Sequence, residues 1–66
     1  MRTIASERVL KGMSQQDLAT VLGVDRQTVA RWETGKTVPP TMRVVRMCEV
    51  FGCSADYLIG LSDRRA

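Results

Sequence analysis

Glycine interrupts this chain at short intervals, at Gly12, Gly23, Gly35, Gly52 and Gly60, and between the breaks apolar residues recur at helical spacing. Strict alternation of apolar and polar residues never runs beyond a few positions, so a half-buried strand has no support. An all-α fold of short helices joined by tight turns follows. With 66 residues there is room for one domain and not for two lobes clasping a large substrate. The hydrophobic share of 44% and the charged share of 26% belong to a globular chain rather than a disordered one. At this size only about 60% of the unfolded surface is buried, and stability is expected to be modest.

The first helix is predicted over about Arg2 to Leu10, carrying Ile4, Ala5 and Val9 inward and stopping before Gly12. Ser14 caps a second helix, Gln15 to Leu22, with Asp17 three residues later in a capping-box pattern. Gly23 turns the chain, Val24 points inward, and Asp25 caps a third helix from Arg26 to Glu33 or Thr34. Gly35 ends it. Pro39 and Pro40 mark the start of a fourth helix, since proline suits a first turn but not a helix interior. Val44, Val45, Met47, Cys48 and Phe51 give that helix its buried side, and Gly52 stops it. Ser54 caps a short fifth helix holding Tyr57, Leu58 and Ile59. The result is a compact five-helix bundle over residues 1–61, followed by a short polar tail, 62–66, that is expected to fray.

Histidine is absent and the cysteines are Cys48 and Cys53, which removes the imidazole base and any standard four-ligand zinc site. Both cysteines fall among apolar residues and read as buried thiols; a thiol redox enzyme built on them fails on spacing and burial. The chain is therefore read as a non-enzyme with no catalytic residue, no metal and no cofactor. No apolar stretch reaches the roughly 18 residues of a membrane span, and Met1-Arg2-Thr3-Ile4 lacks the apolar run of a signal peptide. A cytoplasmic protein with no membrane partner is expected.

The charge is unevenly spread. Of a net +3, the stretch from Arg26 to Arg46 holds five cations (Arg26, Arg31, Lys36, Arg43, Arg46) and one acid, Glu33, a local +4 that leaves −1 for the rest. A basic block of this kind, in a chain with a pI near 9.4, points to a polyanionic partner. It overlaps the most informative part of the sequence. From Gln15 to Thr34, apolar residues stand at Leu18, Leu22, Val24, Val29 and Trp32, with a small residue at Ala19 and glycine at Gly23. Two helices crossing steeply need a small residue at closest approach, a turn that accepts positive φ, and apolar plugs in the wedge between them. That arrangement leaves Arg26, Gln27, Thr28, Ala30 and Arg31 on a free face with no acid among them. Trp32 and Tyr57 lie within apolar patterns and read as structural rather than as stacking platforms.

With Gly12-Met13-Ser14-Gln15-Gln16-Asp17-Leu18-Ala19, Leu22-Gly23-Val24, Gln27-Thr28-Val29, Trp32-Glu33-Thr34-Gly35-Lys36, Pro39 and the closing Phe51-Gly52-Cys53-Ser54 through Gly60, the chain resembles the Cro and lambda-repressor-type helix-turn-helix family, also called the xenobiotic-response-element family. The resemblance covers roughly Ile4 to Leu61 and implies a lambda-repressor-like fold and a bacterial or phage transcription regulator, a repressor among them. It departs from the family at Glu7, where leucine is frequent, at Pro40, where a serine cap is usual, and at Cys53, where valine is usual. It also sets Val9 and Leu10 at positions that are commonly polar.

Double-stranded DNA is the partner on which resemblance and chemistry agree. A helix fits the major groove, where guanine offers N7 and O6 to a guanidinium and adenine offers N7 and N6 to a glutamine amide. Arg26, Gln27, Thr28 and Arg31 are the expected base readers, and Gln15, Thr34, Lys36 and Arg43 the expected phosphate contacts. Arg46 reads better as a solvated charge. The resemblance also implies an ion pair of Arg8 with Glu33 and a homodimer on a near-palindromic operator. Tyr57 and Leu61 are candidates for the dimer contact, and an exposed Leu10 competes with them. The alternative function is an antitoxin-type interaction module whose protein partner is a toxin.

Overall fold

The computed structural model describes residues 1–65, and its helices are α1 (Arg2–Leu10), α2 (Gln15–Leu22), α3 (Arg26–Thr34), α4 (Thr41–Phe51) and α5 (Ala55–Leu58). The fold is all-α, with the order and turns that the sequence implies. Local chemistry sets each start. The Ser14 hydroxyl accepts from the Asp17 amide at 3.0 Å and the Asp17 carboxylate accepts from the Ser14 amide at 3.0 Å, a closed capping box for α2. Asp25 opens α3 by accepting from the Thr28 amide at 2.8 Å and the Thr28 hydroxyl at 2.7 Å, both on Oδ1. Gly23, at φ +72°, makes the left-handed turn between these two helices, where a side chain would be strained. α4 starts at Pro40 without a side-chain cap.

The core is formed by Ile4, Leu18, Ala19, Leu22, Val29, Trp32, Met47, Phe51, Cys53 and Leu58. Two apolar residues expected inside lie outside it. Val9 is 66% exposed because the inner face of α1 passes through Ile4 and Glu7, leaving position nine on the flank. In α4 the inner side runs through Val44, Met47, Cys48 and Phe51, spaced three and four apart, so Val45 is turned outward. Ile59, expected within the fifth helix, stands just past the end of α5 and is exposed.

Glu7, at the family's frequent leucine position, is fully buried. Its partner comes from the described part of the tail, where Arg65 returns to the core. Arg65 donates to Glu7 Oε1 from Nη2 at 2.5 Å and from Nε at 2.9 Å, and the Tyr57 hydroxyl donates to Oε2 at 3.4 Å. The same guanidinium donates to the carbonyls of Phe51 at 2.6 Å and Gly52 at 3.3 Å, and the Arg65 carbonyl accepts from the Ser54 amide at 2.8 Å. The last tail residue, Ala66, lies outside the described residues.

The two caps carry a pH dependence. Hydrogen bonds from the Ser14 amide and hydroxyl hold the Asp17 carboxyl below the usual range, and those from the Thr28 hydroxyl and amide do the same for Asp25. A carboxyl whose pKa is depressed on folding stabilises above its unfolded value, and that stabilisation disappears as pH falls through the folded value. Melting temperature should therefore drop between pH 7 and pH 3, and by less in Asp17→Asn; an equal drop in both proteins, followed by circular dichroism, would contradict the role of the cap.

Candidate nucleic-acid interface

Helical periodicity divides α3 cleanly. Val29 and Trp32 face the core, while Arg26, Gln27 and Arg31 are exposed and Thr28 and Ala30 half-buried at the margin. The expected readers thus share one solvent face of one helix, with a qualification for Thr28, whose hydroxyl proton is engaged by Asp25. That leaves its methyl group and its oxygen lone pairs for any further contact.

Of the expected phosphate contacts, Thr34 and Lys36 lie at the C-terminal end of α3. Thr34 ends α3, exposed, with its hydroxyl donating to the Arg31 carbonyl at 3.2 Å. Gly35 then takes φ +80° and lets the Lys36 amide close back on the same carbonyl at 2.9 Å, which places the exposed Lys36 side chain directly beyond the helix. Arg43 stands half-buried near the start of α4. Arg46 lies within 3.9 Å of Glu49 on the exposed side of α4, in keeping with a solvated charge.

Gln15 has a structural task that its sequence position did not reveal. Its side-chain nitrogen donates to Glu33 Oε1 at 2.9 Å, so one amide hydrogen is committed and the second remains. Glu33 also receives Arg8 Nε on Oε2 at 2.7 Å, the pair that the resemblance implied, and Arg8 Nη1 continues to the Met13 carbonyl at 2.8 Å. The side chains of Arg8 and Glu33 are only 16% and 7% exposed, so this pair is shielded from solvent. The electrostatic consequence is local. The acid within the basic block is neutralised from behind by Arg8 of α1 and hydrogen-bonded by Gln15 of α2, and the free charge presented by α3 is positive.

Cys48 and Cys53 are free thiols, and burial pushes both above the ordinary thiol range. Such thiols hold little thiolate at neutral pH and are poor nucleophiles. No group of metal-ligating side chains occurs among the described residues. Among the described residues no helix is long and apolar enough to cross a membrane.

A helix-turn-helix family model matches residues 4–58. The chain is 36% identical over 52 residues to the SPbeta prophage-derived HTH-type transcriptional regulator YonR of Bacillus subtilis, covering 79% of this chain and 48% of that protein. It is 35% identical to the HTH-type transcriptional regulator YgzD of the same organism, with 79% of each chain covered. A third HTH-type transcriptional regulator, from Methanocaldococcus jannaschii, is 34% identical over 85% of both chains. The chain thus spans about half the length of the first of these relatives and most of the other two.

Proposed function

The chain belongs to the helix-turn-helix family of the Cro and lambda-repressor type, and from that premise we propose that it binds double-stranded DNA as a transcription regulator, with α3 in the major groove. It is not an enzyme. The observation that carries the proposal is the exposed face of α3, where Arg26, Gln27 and Arg31 meet solvent while the neighbouring acid is drawn inward by Arg8 and Gln15. Arg26, Gln27 and Arg31 read base edges, and Thr28 adds its methyl group. Gln15, Thr34, Lys36 and Arg43 hold phosphates on either side.

Two copies act together in this reading. The domain measures 28 × 23 × 18 Å, and successive half-sites on one face of the duplex lie about 34 Å apart, so one copy does not reach both. The dimer contact is assigned to the last third of the chain, where the exposed Leu61 and the half-buried Tyr57 lie.

Gln27 separates reading from positioning because it is neutral. Gln27→Ala should cost about 1 to 3 kcal/mol on the preferred site and little on random DNA. Lys36→Ala should weaken binding to every sequence and lower the salt slope by about one per copy. Equal losses on preferred and random DNA for Gln27→Ala, with an unchanged melting curve, would falsify the assignment of α3 as the reading helix.

A further inference from the structure

We propose that Asp25 is a specificity-determining residue of this interface, whose free carboxylate oxygen accepts a hydrogen bond from a cytosine N4 amine in the major groove. The inference rests on the docking of α3 described above.

Asp25 directly precedes Arg26, the first residue of α3, and helices of this kind approach base edges with their N-terminal residues. Its two oxygens are unequal. Oδ1 accepts both bonds from Thr28, at 2.8 and 2.7 Å, and is occupied by the cap. Oδ2 accepts no hydrogen bond among the described residues, and the side chain is exposed. The cap therefore fixes the carboxylate at the leading end of the helix and leaves one oxygen available. It is the carboxylate that carries the inference, and the Thr28 amide of this helix start is taken by it.

An ionised carboxylate only accepts, and the Thr28 bonds together with the nearby Arg31 charge keep Asp25 ionised. The hydrogen-bond donors on the major-groove edge are the cytosine N4 and adenine N6 amines. Adenine places the acceptor N7 beside its amine, which repels a negatively charged group, whereas cytosine has no acceptor on that side. Guanine N7 and O6, thymine O4 and the phosphates are all acceptors and repel the carboxylate. The same carboxylate lowers affinity for phosphate in general, so it widens the gap between specific and random binding.

The test compares the full chain with Asp25→Asn and Asp25→Ser by selection from randomised duplex DNA, and by affinity for the selected site and for random DNA. Both replacements retain a capping side chain, asparagine is as good a cap as aspartate, and serine is too short to reach a base. The expected result is a C·G preference at one position in the natural chain that falls about fivefold or more in both variants, with several-fold tighter binding to random DNA and the other positions unchanged. An identical preference in all three proteins, with equal random affinity, would show that Asp25 serves only as a cap. The two readings fail separately. If Gln27→Ala relaxes specificity while both Asp25 variants are silent, the present inference alone is overturned; if the natural chain selects no position at all, the docking of α3 falls with it.

Discussion

Replacing Arg65 with alanine should lower the melting temperature by roughly 10 °C, and adding Glu7→Leu to that variant should restore most of the loss. The pair is lopsided. Glu7 is fully buried whereas the Arg65 side chain is 42% exposed, so the arginine can reach water and the carboxylate cannot. Removing the arginine strands a charge in the core that, among the described residues, keeps only the Tyr57 hydroxyl, a long contact at 3.4 Å. Leucine at position 7 removes the stranded charge and supplies an apolar side chain on the buried face of α1 that also carries Ile4, and exchange of a buried pair for packed apolar residues is often neutral or stabilising. A small domain turns each increment of stability into a large thermal shift, which makes the effect easy to read. If Arg65→Ala melts within a degree or two of the natural chain, the tail is not closed on Glu7 in solution.

DNA affinity should fall about a hundredfold when salt is raised from about 50 to 200 mM. The estimate takes Lys36 and Arg43 as cationic phosphate contacts in each of two copies, and about 0.9 log units of affinity per log unit of salt for each contact. Gln15 and Thr34 add neutral hydrogen bonds and no counterion release. A titration at several salt concentrations gives the slope directly, and a single copy on the site would halve it. Binding that ignores salt would place the main contact on something other than a polyanion.

The helices were legible because their signals are local. Ser14 with Asp17, and Gly23 followed by Asp25, specify a stop and a start within a few residues, and the observed caps use those side chains. The site face was legible for the same reason: a period of 3.6 puts Arg26, Gln27 and Arg31 opposite Val29 and Trp32. Apolar character alone misplaced Val9 and Val45, since one step along a helix rotates a side chain off the inner face. The contact between Glu7 and Arg65 spans 58 residues and has no periodicity to announce it, so the tail read as loose polar chain. Gln15 was found by its place at a helix start, but its bond to Glu33 depends on how α2 crosses α3, and only the assembled fold supplies that.

The imbalance between Glu7 and Arg65 also gives their exchange a direction in evolutionary time. A lineage that acquires leucine at position 7 first leaves behind an arginine already half in water, free to swing out and then drift to other residues without penalty. A lineage that loses the arginine first must carry an unpaired buried acid until a second mutation removes it. Between the acidic and the aliphatic form of this core, the open path runs through position 7 before position 65, and on the return path the arginine must arrive before the acid.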